Sequence, residues 1–298
     1  MLHTLSFVED PTRCLRAVRF EQRYNFHIGA GTEKLIKNAL KLKLMDKLSG
    51  FRLFHEFQHI CDEDDPSACI ARLDQLGVLE AVSPLLSLNP TRKNLLLRLQ
   101  ETLTWYRLLY FEEAAQPWLA FFLALNHNMS YADTANHYQR MGLPEPRRAD
   151  ILRQREHMRV VRGKLEPWQK DHEAGKESIS ALCALLRPLS LECLLYLMAD
   201  TSDAALQKNL SRYITQWRKE KTDVSGEDLR IMGLEPSLTA LLQRQSNRWT
   251  WRAASCAVLA QNQAMGMKNK PVGILHLPSV YKRCIQTNYE TTMGSMAH

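Results

Sequence analysis

Apolar positions recur at spacings of three and four along most of the chain, which is the helical period. The segment "PTRCLRAVRFEQRY" (11–24) carries them at 14, 15, 18 and 20, and "TEKLIKNALKLKLMDKL" (32–48) at 35, 36, 39, 40 and 44. "FRLFHEFQHI" (51–60), "PSACIARLDQLGVL" (66–79) and "TRKNLLLRLQETLTWYRLLYF" (91–111) continue the pattern. Alternating β-branched runs are missing, and so is an Asn-Gly hairpin turn. The predicted class is all-α, an elongated array of many helices. Pro66, Pro84, Pro90, Pro117, Pro144, Pro146, Pro167, Pro188 and Pro236 are expected at starts, breaks or loops between helices. Pro188 should split "ISALCALLRPLSLECLLYLM" (179–198) into two helices or kink it, because proline lacks a backbone donor and clashes with the preceding turn. "DHEAGKES" (171–178) reads as a polar linker. Beyond about Ser246 acids nearly vanish and periodicity fades, which predicts a poorly structured extension; a frame-shifted or recently acquired ending gives the same pattern.

Composition narrows the class. The chain has 298 residues, 45% hydrophobic and 24% charged, ordinary for a globular protein with a sizeable core. Its seven cysteines are scattered and form no CxxC, which argues against a zinc knuckle or redox dithiol and for a reducing, cytoplasmic setting. No signal peptide is expected, and the apolar run "WLAFFLAL" (118–125) is far short of the ~20 residues that span a bilayer. The formal charge of +7 suggests nucleic acid, but its distribution is uneven. Residues 237–298 hold seven Lys or Arg and one acid, so nearly all of the excess lies there. Residues 1–50 hold nine Lys or Arg against five acids, a more useful local patch.

The chemistry begins at "EDPTRCLRAVRFEQRYNF". Asp10 before Pro11 is a standard helix start: the carboxylate accepts an orphan amide at N2 or N3, and proline fits N1. Arg13, Arg16, Arg19 and Arg23 then fall roughly along one face. Such a face is ordinarily just solvated. A sharper reading pairs Asp10 with Arg13, one turn apart. Together they offer an acceptor and a fork of donors, suited to the edge of a nucleobase.

"LSFVEDPTRCLRAVRFEQRYNFHI" resembles the nucleobase-template segment of the bacterial tRNA nucleotidyltransferase / poly(A) polymerase family, whose signature is Glu-Asp-x-x-Arg followed by Leu-Arg-Ala-x-Arg-Phe. "TEKLIKNAL", "LSGFRLFHEF" and "ARLDQLGVLEAVSPLL" continue the likeness, and "VSGEDLRIMGLEP" (224–236) resembles the family's tail motif. The resemblance covers roughly residues 2–240. It implies a neck with the template helix over 1–65, a helical body over 66–222 and a tail motif over 223–246, with 247–298 an unfamiliar extension. It implies that Asp10 and Arg13 select the incoming ATP or CTP. It also places Glu9, Arg52 and Glu56 as neck support; from their basic surroundings Arg16, Arg19, Arg23, Arg147 and Arg148 are expected as RNA contacts. Two positions depart from the family: Phe51 stands where it has glutamate, and Ser237 where Pro-Gly-Pro continues.

The family's catalytic head, with a Gly-Ser turn, two metal-binding aspartates and an Arg-Arg-Asp motif, is not found in this sequence. "DEDD" (62–65) follows a helix with no glycine turn, and "RRAD" (147–150) reads as a polar loop. Neither supplies the fixed, open carboxylate geometry of a two-metal site. No catalytic residue and no cofactor is therefore expected in this chain. Mg²⁺ with ATP or CTP would enter only with a head domain, encoded separately or lost. The expected partner is the 3′ end of tRNA or another RNA, for addition of A or CCA. A degenerate helical interaction protein without an RNA role is the alternative. "HEFQH" (55–59) spells H-E-x-x-H, and His55, Glu56 and His59 would make a remote zinc-hydrolase reading, for which a third ligand is missing. Trp105, Tyr106, Tyr110, Phe111, Trp118, Phe121 and Phe122 sit among leucines and are expected in the core. "PEPRRADILRQREHMRVVRGK" (144–164) has seven basic residues against Glu145, Asp150 and Glu156, and reads as either a phosphate-tracking or a solvated face.

Overall fold

Thirteen α-helices and no strand make up the described residues, 6–219, of the computed structural model. They are α1 (Ser6–Glu9), α2 (Arg13–Arg23), α3 (Ala30–Lys41), α4 (Gly50–Cys61), α5 (Pro66–Gln75), α6 (Val78–Val82), α7 (Pro90–Arg107), α8 (Pro117–Leu125), α9 (Tyr131–Arg140), α10 (Glu145–Glu173), α11 (Ile179–Leu186), α12 (Leu191–Asp200) and α13 (Ala204–Thr215). The expected tail motif at 224–236, Ser237, Cys256, Cys284 and the 247–298 extension lie outside the described residues.

Local chemistry explains most starts. Ser49, Asp65, Asn89, Ser130, Ser178, Ser190 and Asp203 each accept an amide of the first helical turn, capping α4, α5, α7, α9, α11, α12 and α13. Pro66 and Pro90 occupy the first helical positions, where no donor is needed. Pro188 separates α11 from α12, as its missing donor dictates.

Three expectations change. α10 runs unbroken through Pro167, with Leu165 and Trp168 buried on either side of it; Trp168 also donates through Nε1 to the Ser178 carbonyl (3.2 Å). Packing therefore outweighs the one donor lost, and the polar linker shrinks to the residues after Glu173. "RRAD" lies within the first turns of α10 and not in a loop. The helix expected over 32–48 ends at Lys41; Lys43 adopts a left-handed conformation (φ 52°), and a 3₁₀ turn over Leu44–Lys47 redirects the chain so that Leu44, Met45 and Leu48 are buried.

The core centres on α12, whose residues 191–199 are all buried. It packs against α7, α8, α10 and α13. α8 is equally apolar, buried from Leu119 to Leu125, as helices surrounded by protein are. Of the aromatics, Tyr106, Phe121 and Phe122 are core residues, whereas Tyr110 is 88% exposed. Arg155, 1% exposed, donates to the carbonyls of Asn126 (3.0 Å) and Met129 (2.6 Å), satisfying acceptors left open beyond the end of α8.

Where α4 begins, two backbones touch. A Cβ at Gly50 would lie 2.6 Å from the Gly142 nitrogen and 2.8 Å from the Met141 carbonyl carbon; one at Gly142 would lie 2.8 Å from the Phe51 nitrogen. Gly142 also has φ +70°, a conformation that glycine adopts without steric cost. Beside this crossing Arg140 donates to the carbonyls of Leu48 and Met45, both at 2.9 Å. Glycine at 50 is thus required by backbone contact on the far side. Gly50→Ala should destabilise the protein by about 3 kcal/mol, the upper range for overpacking, read as a lower urea midpoint with unchanged slope. A loss below about 0.5 kcal/mol would show that the crossing relaxes freely.

Candidate nucleobase and RNA interface

The turn between α1 and α2 is built around one oxygen. Asp10 Oδ1 accepts the Thr12 hydroxyl (2.6 Å), the Thr12 amide (3.2 Å) and Arg52 Nη2 (2.7 Å). The Asp10 carbonyl takes the Arg13 amide (3.1 Å), and regular helix begins at Arg13. Asp10 was expected to cap the helix with Pro11 at its first position; instead its carboxylate holds a turn at Pro11 and Thr12, and Thr12 stands at the N-cap of α2 without a side-chain cap bond. Burial pushes the Asp10 carboxyl upward, but the Thr12 bonds and the Arg52 charge outweigh it and hold the group below the usual aspartate range. Oδ2 accepts no hydrogen bond among the described residues. The neighbouring Arg13 is half-buried, with no hydrogen-bond or ion-pair partner there. An open carboxylate oxygen and an open guanidinium thus stand one helical turn apart.

The arginine stripe divides. Arg13 and the exposed Arg16 remain open, Arg16 lying 6.0 Å from the Phe20 ring centre. Arg19 turns inward, its side chain 11% exposed, between Glu56 (3.7 Å) and Glu63 (3.6 Å). Arg23 grips both oxygens of Glu63, at 2.8 and 2.6 Å. Arg52 and Glu56 both act from α4 on the α1–α2 segment, Arg52 through Asp10 and Glu56 through Arg19. Glu9 ends α1, exposed, and its side chain has no partner among the described residues. Arg147 lies beyond this group: it donates to Gln116 (2.8 Å) and covers Trp118 (5.7 Å). Arg148 pairs with Glu145 on its own helix. Arg153, Arg159 and Arg162 pair with Asp150, Glu156 and Asp200, so most of the basic face of α10 is balanced locally.

A second network had no sequence signal. Glu21, 6% exposed, accepts Arg72 Nε (2.8 Å), Arg72 Nη2 (3.3 Å) and the Ile28 amide (2.8 Å), and Arg72 Nη2 reaches Glu33 at 2.5 Å. It ties α2 and α3 to α5 across as many as 51 residues of sequence. Burial raises the Glu21 carboxyl, but the bonds from Arg72 and Ile28 outweigh it and the group sits below the usual glutamate range.

Metal chemistry finds no site here. His55 and His59 stack edge to face, with centres 4.3 Å apart, but Glu56 faces Arg19. Among the described residues no three His, Cys, Asp or Glu side chains gather to hold a metal ion. In "DEDD", Glu63 is held by Arg19 and Arg23, and Asp65 caps α5. The described residues do not fit a two-metal site. Phe51 is 71% exposed and stacks on His55 (6.2 Å).

Residues 25–88 match a family model described as the probable RNA and SrmB-binding site of polymerase A. The A-adding tRNA nucleotidyltransferase of Geobacter sulfurreducens is 39% identical over 236 residues, covering 78% of this chain and 26% of that protein. Over most of its length this chain resembles the tRNA nucleotidyltransferase / poly(A) polymerase family. The Thermotoga maritima CCA-adding enzyme complexed with tRNA superposes with a TM-score of 0.67 at 25% identity, over 82% of this chain and 57% of the other. A tRNA-processing enzyme with CTP gives 0.63 at 27% identity, over 83% and 65%. The chain spans about a quarter of the length of its Geobacter sulfurreducens and Aquifex aeolicus relatives. No described helix is long and apolar enough to cross a membrane.

The Glu21 network generates a pH-dependent outcome. A carboxylate held below its ordinary pKa contributes stability that is complete above that ordinary value and is lost as pH falls through the folded one. Glu21→Gln should cost about 2 kcal/mol at pH 7, the scale of a charged hydrogen bond, and should flatten the stability loss between about pH 5 and 3. Urea midpoints at pH 7 and pH 4 test this. Parallel pH profiles for the two proteins would show that Glu21 does not carry the linkage.

Proposed function

We propose that this chain binds the 3′ end of tRNA and selects the incoming nucleotide, as the neck, body and tail portion of a tRNA nucleotidyltransferase. The supporting observation is the pair of open groups at the α1–α2 turn. All three donors on Asp10 meet Oδ1, so Oδ2 is left to accept an exocyclic amine, while Arg13 is free to donate to ring acceptors. Thr12 and Arg52 fix the carboxylate in place beforehand. The relatives' names supply the RNA class: an A-adding tRNA nucleotidyltransferase, and a CCA-adding enzyme complexed with tRNA. A related tRNA-processing enzyme with CTP supplies the nucleotide class.

Nucleotidyl transfer requires carboxylates that position Mg²⁺ around the reacting phosphates. The described residues offer no such set, so the transfer step belongs to a catalytic head acting with this chain, and ATP or CTP with Mg²⁺ would be held there. This chain's own share is to present the RNA end and to read the base. A compartment with tRNA, the cytoplasm, follows from the same reading.

Fluorescence anisotropy of a labelled tRNA with the full chain at two salt concentrations tests the proposal. Binding should weaken as salt rises and should drop for a tRNA lacking its 3′ end. With a catalytic head supplied, Arg13→Ala should weaken binding of CTP or ATP by about tenfold, the scale of one lost base-edge contact. Absence of tRNA binding at low salt would favour a helical interaction protein without an RNA role.

A further inference from the structure

Arginines and lysines are used differently in this fold. Of the thirteen ion pairs among the described residues, lysine takes part in one, Lys93 with Asp74. Lys34, Lys37 and Lys41 on α3, with Lys43 and Lys47 just beyond it, are all exposed and join none of those pairs. At 3.6 residues per turn the first three lie within about 60° of one another around the helix and span about 10 Å along it.

The stripe is unneutralised because of the inward network. Glu33 precedes Lys37 by four residues, the favourable orientation for an intrahelical pair. It is instead drawn inward to Arg72 at 2.5 Å. The one acid on α3 is thereby removed from the outer face. Lys34 and Lys37, and Lys37 and Lys41, then face each other as like charges at spacings of three and four, which disfavours the isolated helix. Lys43 occupies a left-handed position (φ 52°) that glycine would take with less strain. Asp46 is the nearby outward acid and is itself exposed and unpaired. α1 packs against both α2 and α3, so the stripe is carried on an element next to the Asp10 turn.

We propose that Lys34, Lys37 and Lys41, extended by Lys43 and Lys47, form a phosphate-tracking surface that engages the sugar-phosphate backbone of the RNA whose 3′ end reaches Asp10 and Arg13. The inference rests on the RNA reading above and deepens it by assigning the backbone contact to lysines, in place of the arginine stripe of α2. Lysine suits such a surface, because its ammonium is a compact, mobile point charge that neutralises phosphate without demanding a fixed fork geometry. Contacts of this kind position the RNA and carry no base information.

The test compares the full chain with Lys34→Gln/Lys37→Gln/Lys41→Gln, measuring affinity for an intact tRNA from about 50 to 400 mM salt. Each lost phosphate contact should lower the magnitude of the log–log salt slope by roughly 0.7–0.9. The triple variant should therefore lose about 2 from the slope and roughly 100-fold in affinity at about 0.1 M salt. Lys170→Gln/Lys176→Gln/Lys208→Gln removes the same charge from exposed positions on α10, just after it and on α13, and should leave the slope near that of the wild type. Lys43→Gly should raise the melting temperature while weakening tRNA binding. An unchanged slope in the first variant, with wild-type tRNA binding intact, overturns this proposal alone. Equal losses in both triple variants would overturn it in favour of a diffuse field. A first variant that loses binding to phosphatidylserine vesicles but keeps its tRNA slope would overturn it in favour of a lipid surface. Failure of the wild type to bind tRNA at all would overturn the RNA reading and this surface with it.

Discussion

The contact between Gly50 and Gly142 sets the geometry on which the rest of the candidate site depends. Two backbones cross closely enough that neither position has room for a Cβ. Arg140 secures the crossing by holding the carbonyls of Met45 and Leu48 just before α4. This fixes where α4 starts and how it is rotated. Arg52 and Glu56, one turn apart on that helix, are then aimed at Asp10 and Arg19. A small error at Gly50 would be passed directly to the Asp10 carboxylate, because Arg52 supplies one of its three hydrogen bonds.

Electrostatics follows the same division between inside and outside. Arg72, Arg92, Arg140 and Arg155 bridge elements by donating to carboxylates or carbonyls, using the planar fork that arginine provides. The charge of these groups is balanced or turned toward backbone acceptors within the fold, and contributes little to the outward field. A formal excess of positive charge therefore says little about binding until each cation has been traced to its partner. Arg19 and Arg23 illustrate this: by sequence they extend a basic stripe, and in space they hold Glu56 and Glu63. The lysines of α3 lack the fork that makes arginine the favoured RNA ligand, yet they are cations that the fold leaves outward.

Much of the fold was legible because its signals are local. Serine, aspartate and asparagine caps, proline at first helical positions, and the break at Pro188 act within one turn and need no tertiary information. The failures are places where packing outweighed a local rule. Pro167 continues a helix because Leu165 and Trp168 anchor it from both sides. The segment from Leu40 to Leu48 breaks because Leu44, Met45 and Leu48 must all face inward. In the candidate site, the pairing of Asp10 with Arg13 is proposed from the motif, and the acceptor role of Asp10 in the turn was legible from it. Thr12 and Arg52 as joint donors to one oxygen, and Glu21 with Arg72, were not, since 42 and 51 residues separate the long-range partners. The local pairs along α10 could have been read from spacing alone: Glu145, Asp150 and Glu156 each precede an arginine by three residues.

The convergence of donors on Oδ1 has a consequence for recognition. Desolvation is the largest influence on Asp10 and by itself would raise its pKa. Thr12 and Arg52 reverse that tendency without occupying Oδ2. On the proposed reading, a base that offers an amine would meet an acceptor already charged and already oriented. Little reorganisation remains to be done when the ligand arrives, the condition under which polar contacts discriminate best. Were Arg52 to engage both oxygens, the turn would be more tightly held and the acceptor would be lost. Holding the carboxylate by one oxygen only would let the same aspartate fix the turn and, on the proposed reading, receive the base.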